Sequence, residues 1–139
     1  VLALAPFFAH LESEQLGRVS ALGNVERYSK DSQIYVLGDA ADNFYVLADG
    51  MVRFTLGLGR RETSAGEIIR RGQVFGWAAL VETARTRIAT AFCLTDCEVI
   101  AIDGKRLIAL MDTDHALGYV IMKQLAILLT SELTTFAAG

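Results

Sequence analysis

One proline, one tryptophan, two cysteines and two histidines are all that the 139 residues contain of these types. Each scarcity removes something. Two cysteines, Cys93 and Cys97, build neither a disulfide framework nor a four-cysteine iron–sulfur site. They read as two small buried hydrophobes and fit a reducing, cytoplasmic compartment. Two histidines, His10 and His115, fall on or beside the flanking helical segments, so a clustered metal-binding set is not expected. No metal site, catalytic residue or enzyme is predicted. No apolar run reaches about 18 residues, so no transmembrane helix is expected. The apolar start "VLALAPFFA" has no basic leader or cleavage pattern. No methionine opens the chain, so a trimmed or processed start is expected. Basic residues do not predominate: 13 Lys and Arg against 16 Asp and Glu give a net charge of −3. That balance offers no bulk attraction for nucleic acid. With Pro6 alone against 12 glycines, the turns must be made by glycine.

What the chain does have is apolar content, 53% of residues, enough for one domain with a sizeable core. The order is a helix, an all-β body and two helices, with no repeat or linker. Phe8, Leu11, Leu16, Val19 and Leu22 have helical spacing, which Gly23-Asn24 ends. This helical lead-in is expected over 6–23. A β body is expected over 24–103, where short runs rich in Tyr, Val, Ile and Phe are separated by Lys30-Asp31-Ser32, Gly38-Asp39, Asp49-Gly50 and Gly57 to Arg60. Such spacing indicates an antiparallel sandwich or barrel. Asp49-Gly50, between "FYVLA" and "MVRFTL", predicts a hairpin. "IATAFCL" and "CEVIAID" predict two more strands joined at Thr95-Asp96. C-terminal helices are expected over 104–137, the second capped by Thr113 or Asp114. Between Ala116 and Phe136 only Lys123 and Glu132 are charged. The second helix is therefore apolar most of the way round. Met122, Leu125, Leu129, Leu133 and Phe136 form one stripe; Leu117, Ile121 and Leu128 fill its neighbour. One face can cover the β body, and the other predicts a homodimer, or burial in a larger parent protein.

The stretch "VFGWAALVETARTRIATA" is unlike a strand or a surface loop. Together with "GDAADNFYVLADGMVRF" and "TDCEVIAID" it resembles a cyclic nucleotide-binding domain of the CRP/FNR transcription-regulator family, in its sensory part only. The resemblance runs from Phe7 to Phe136. It implies a β jelly roll, or double-stranded β-helix barrel, with a phosphate-binding-cassette-like segment over 75–90. By that resemblance Gly76, Trp77, Ala78, Ala79, Arg87, Ile88 and Ala89 would line the phosphate and ribose of a cyclic nucleotide, cAMP or cGMP. Thr130, Ser131 and Glu132 would approach its base from the long helix. No other cofactor is required. The chemistry is reasonable: a glycine lets the backbone approach a ligand, small residues keep clear of it, and an arginine pairs with phosphate oxygens in a bidentate, charge-assisted way. An arginine buried with no anion would be costly. Arg85 reads as a solvated loop residue.

One position departs from the pattern. The family usually has Glu after the cassette glycine, accepting from the ribose 2′-hydroxyl. Here the residue is Trp77, whose indole N–H only donates. Ile88 also replaces a frequent Ser or Thr. Glu82 is a candidate substitute acceptor, and Trp77 a candidate to fill the pocket or stack on a base. The main alternative is the same fold used as a ligand-free or non-nucleotide sensing and dimerisation module, haem being one ligand to consider. A cupin-type enzyme lacks the histidines. In the family an output segment, such as a helix-turn-helix, follows the sensory domain. DNA contact is therefore expected only through a segment absent from these residues, and no membrane partner is expected.

Overall fold

The computed structural model describes residues 5–57, 63–81, 86–131 and 138–139, without the side chains of Thr63, Ala65, Gly66 and Ser131. A 3₁₀ turn at Pro6–Phe8 leads into α1 (Ser13–Ser20). Eight described strands follow: β1 (Gly23–Tyr28), β2 (Gln33–Tyr35), β3 (Asn43–Asp49), β4 (Val52–Leu56), β5 (Thr63–Ile69), β6 (Val74–Phe75), β7 (Thr90–Cys93) and β8 (Cys97–Asp103). A second 3₁₀ turn, Trp77–Leu80, interrupts them after β6, and α2 (Gly104–Thr113) and α3 (His115–Ser131) close the order. The strands form two four-stranded antiparallel sheets, β1-β8-β3-β6 and β2-β7-β4-β5. This is the expected jelly roll with flanking helices.

The sheet centred on β3 carries the helical layer. Residues Phe44 to Ala48 of β3 are buried without alternation, because both faces of the strand are covered. Tyr45 stacks inward on Phe75 at 5.0 Å, while Phe44 meets Phe7 at 5.1 Å on the helical side. A strand covered on both faces reads as a continuous apolar run.

That burial explains the one misread connection. Asp49-Gly50 does not close a two-strand hairpin. β3 pairs with β8 and β6, whereas β4 pairs with β5 and β7 in the other sheet. The turn carries the chain across the corner between sheets. Gly50 has φ +99, and an added Cβ would stand 2.5 Å from the Asp96 carbonyl and 2.8 Å from Cys97 Sγ. The glycine serves a close crossing as much as a turn.

Helix ends follow their capping chemistry. Glu12 and Gln15 close a capping box at α1. The Asp103 carboxylate accepts from the Arg106 N–H at 3.0 Å to start α2. Asp114, rather than Thr113, starts α3, accepting from the Leu117 N–H at 3.1 Å. Gly104 begins α2 directly on the second 3₁₀ turn: an added Cβ would lie 2.5 Å from the Ala79 carbonyl.

α3 buries Leu117, Ile121 and Leu125 and exposes Tyr119, Met122 and Ile127. Leu125 therefore belongs to the stripe that covers the body, not to the stripe of Met122. Helical spacing allows both groupings; the packing selects one. Leu133 and Phe136 lie outside the described residues. Replacing Ile121 with Ala should lower stability by about 2–4 kcal/mol, whereas Tyr119→Ala should change it by no more than about 0.5 kcal/mol. Urea unfolding of the two variants measures the difference.

Candidate functional site

The site is built around a buried charge. Arg87 follows Thr86, which makes an isolated antiparallel bridge to Ala40, and it precedes β7. Its backbone is fixed to the Gly38-Asp39 turn: Arg87 N–H donates to the Asp39 carbonyl at 2.8 Å, and Gly38 N–H donates to the Arg87 carbonyl at 2.9 Å. This directs the side chain into the body, where it is 2% exposed.

Among the described residues the hydrogen-bond partners of the guanidinium are main-chain oxygens. It donates to the main-chain oxygens of Gly76 at 3.0 Å, Gly139 at 2.8 Å and Asn43 at 2.5 Å. Its face lies 4.2 Å from the Tyr35 ring centroid, with the Tyr45 ring at 5.8 Å. Among the described residues, Arg87 Nε has no hydrogen-bond partner, nor does the buried Tyr35 hydroxyl. No carboxylate among the described residues forms an ion pair with Arg87. Burial presses its pKa below the ordinary value, against the upward pull of Tyr35, Tyr45, Asp42 and Asp39. Burial likewise raises the Tyr35 phenol, with Arg87 opposing it. Arginine stays charged under these conditions, so the cluster holds a cation beside a neutral phenol.

Gly76 makes this geometry possible. Its φ of +78 turns the chain from β6 into the Trp77–Leu80 turn and aims its carbonyl at Arg87. A Cβ there would lie 2.9 Å from Tyr45 Cδ2 and 3.2 Å from the Arg87 guanidinium. Trp77, Ala78 and Ala79 are buried in that turn, with Ala89 just before β7, while Ile88 is half-buried. β7 thus starts at Thr90, two residues later than "IATAFCL" implies. The Thr90 hydroxyl accepts from the Leu37 N–H at 2.9 Å and ties the arginine strand to β2.

Gly76, Trp77, Ala78, Ala79, Arg87 and Ala89 are thus gathered at one locus. Thr130 is not part of it. It is exposed, and its hydroxyl donates to the Ala126 carbonyl of its own helix at 2.8 Å. Glu82, Arg85, Glu132 and the Ser131 side chain lie outside the described residues. The sequence reading missed Tyr35, Tyr45 and the Asn43 carbonyl. The alternation in "QIYVLGD" and "NFYVLAD" marks both tyrosines as strand residues, but nothing in either segment signals a cation above the rings.

Residues 25–114 match the family model for the cyclic nucleotide-binding domain, more than half of the 139 residues. The chain belongs to the cyclic nucleotide-binding domain family. Its branch is the CRP/FNR regulator type. It is 30% identical over 102 residues to the nitrogen fixation regulation protein FixK of Azorhizobium caulinodans, covering 72% of this chain but only 39% of FixK. A Geobacter metallireducens GS-15 protein named for cyclic nucleotide binding superposes with TM-score 0.81, at 25% identity, over 95% of each chain. The Thermus thermophilus catabolite activator protein superposes with TM-score 0.76, at 24% identity, over 91% of this chain and 59% of its own. Family and fold are those of regulatory domains, not enzymes.

Within this cyclic nucleotide-binding fold the remaining sulfur and imidazole groups stand apart from Arg87. Cys93 and Cys97 are buried free thiols, and burial, with Cys97 beside it, pushes the Cys93 thiol up to about 12, leaving it protonated and unreactive at neutral pH. His10 and His115 are exposed. No described helix is long and apolar enough to cross a membrane.

The Tyr35 hydroxyl supplies a test of the site in its ligand-free form. Tyr35→Phe removes a buried group without a partner and keeps the ring over Arg87. It should raise stability by about 1 kcal/mol, read as a higher urea midpoint at unchanged slope.

Proposed function

We propose that this domain senses a cyclic nucleotide, cAMP or cGMP, whose phosphate sits on Arg87. The observation that carries the reading is a buried guanidinium that, among the described residues, meets main-chain oxygens, forms no ion pair with a side-chain carboxylate and has no partner at Nε. A phosphate supplies the missing negative charge and acceptors in bidentate form. Trp77 cannot accept from a ribose hydroxyl. The unpaired Tyr35 hydroxyl, on the ring that covers Arg87, can both accept and donate. It is the group we assign to the ligand's polar edge in place of the usual Glu.

Signalling then follows the contacts. Ligand on Arg87 changes the hold on the Gly76 carbonyl. Gly76 leads into the Trp77–Leu80 turn, which touches Gly104 at the start of α2. α2 in turn carries α3. A ligand that binds one arrangement of these elements better shifts the population toward it. Gene regulation would be exerted by residues outside this chain, in the cytoplasm.

A second reading uses the same fold without a nucleotide. It is favoured by the fact that Gly76 N–H and Arg87 already meet the main-chain oxygens of Ala138 and Gly139. Haem sensing gains no support, since both histidines are exposed.

Calorimetry with cAMP and cGMP tests the main reading. The native domain should bind at least one. Arg87→Met, which keeps much of the side-chain volume, should weaken binding by roughly a hundredfold or more. Native protein that ignores millimolar concentrations of both nucleotides would overturn it.

We also infer a homodimer through α3. Tyr119, Met122 and Ile127 are 67%, 39% and 51% exposed on one helix, and a second copy of the same stripe is the simplest cover. Sedimentation should show a dimer at micromolar concentration, and Met122→Glu with Ile127→Glu should give a folded monomer. A native protein that is already monomeric would count against it.

A further inference from the structure

A nucleotide needs a slot for its base as well as a cation for its phosphate. A cavity of about 320 Å³ lies between α3, the 3₁₀ turn at Pro6–Phe8 and the strands β4 to β6. Phe7, Phe54, Ile69, Val74 and Leu128 form its apolar walls. The volume is at the small end of ligand pockets, and aromatic and branched walls suit a flat ring.

The cavity and the buried cation are neighbours along β6. Val74 lines the cavity, and Gly76, two residues on, gives its carbonyl to Arg87. Two residues of extended chain span about 7 Å, the scale that separates the phosphate of a nucleotide from its base. Phe54, on the cavity wall, meets Phe75 at 6.0 Å, and Phe75 stacks on Tyr45, the second ring beside Arg87. One aromatic layer therefore borders both places.

The polar lining sets which ring fits. Glu67 is the one ionisable residue among the described residues that line the cavity. No ion pair among the described residues engages its carboxylate, which only accepts hydrogen bonds. Gln73 holds its side-chain oxygen on the Arg70 N–H at 2.7 Å, so its amide nitrogen remains to donate. Gln124 adds a further amide from α3. The lining thus combines a negative acceptor with amide donors. Guanine is complementary to that set: its adjacent N1–H and N2–H groups match two carboxylate oxygens, and its O6 accepts from an amide. Adenine has one donor group on that edge, and its N1 is an acceptor that a carboxylate repels.

We propose that this cavity takes the purine of the ligand and that Glu67 selects guanine over adenine, making cGMP rather than cAMP the effector. The proposal rests on the cyclic nucleotide reading and narrows it. A carboxylate facing two N–H groups is bidentate and charge-assisted, whereas adenine makes one such bond and sets an acceptor against an acceptor. Selection comes as much from that repulsion as from the attraction. The contact from the long helix moves as well. Gln124 and Leu128 line the cavity, whereas the Thr130 hydroxyl is bonded to the Ala126 carbonyl.

Calorimetry with cGMP, cAMP and cIMP tests this on the native chain and on Glu67→Gln. The base of cIMP keeps O6 and N1–H but lacks the second amine. The native chain should bind cGMP roughly tenfold or more tighter than cAMP, with cIMP between them. Glu67→Gln removes the charge and adds a donor, and it should bring the ratio of cGMP to cAMP affinity down toward one. Glu67 is exposed, so the variant should keep the native urea midpoint. Native protein that binds both nucleotides equally, or cAMP better, would overturn the guanine selection and leave the cyclic nucleotide reading standing. A cGMP preference that survives intact in Glu67→Gln would overturn the role of Glu67. Native protein that binds none of the three would sink the cyclic nucleotide reading and this proposal with it.

Discussion

A single cation enclosed by apolar walls organises this domain. Arg87 cannot shed its charge and is removed from water, so every element around it is arranged to supply electron density. Asn43 opens β3 and offers a carbonyl; Gly76 leaves β6 and offers another. Tyr35 from β2 and Tyr45 from β3 present ring faces. These contributions come from both sheets, so the arginine acts as a cross-brace between them. The left-handed backbone at Gly76 is a consequence: a residue with a side chain there would collide with the ring and the guanidinium that define the site.

In the proposed reading the chain departs from the usual family pattern at Trp77 and, beside the arginine, at Ile88. A Glu after the cassette glycine would add a second charge beside Arg87 and an acceptor for a ribose. Trp77 adds neither. In the proposed reading the charge on Arg87 is the feature that makes the ligand's own charge decisive. It also makes carbonyl oxygens, from whatever source, attractive partners.

Much of this was legible in the sequence, for identifiable reasons. The strand and helix order follows from a change of apolar period between residues 22 and 28 and again near 104, and periodicity is a local property. Arg87 was legible because a charged residue among Ile88, Ala89 and the apolar run of β7 has no outward explanation. Asp49-Gly50 misled because a turn signal fixes the local backbone but not the partner of the strand that follows. Leu125 misled because a helix apolar on most faces does not declare which face the body takes. Tyr35, the Asn43 carbonyl and Gly139 were invisible for a different reason. Their roles arise from contacts between positions 44 to 52 residues apart, and no spacing rule along one element encodes such a meeting.

Gly104 stands where the sheet ends and the helical layer begins, in direct contact with Ala79 of the ligand-side turn. Neither partner has a side chain longer than a methyl, so the joint holds no flexible arm that could absorb movement. In a machine this would be a bearing without play. A displacement of the turn by a few tenths of an ångström cannot be lost in rotamer changes there and must move the helix or be resisted by it. In the proposed reading the signal therefore passes backbone against backbone, and its transmission depends on the smallness of these two residues.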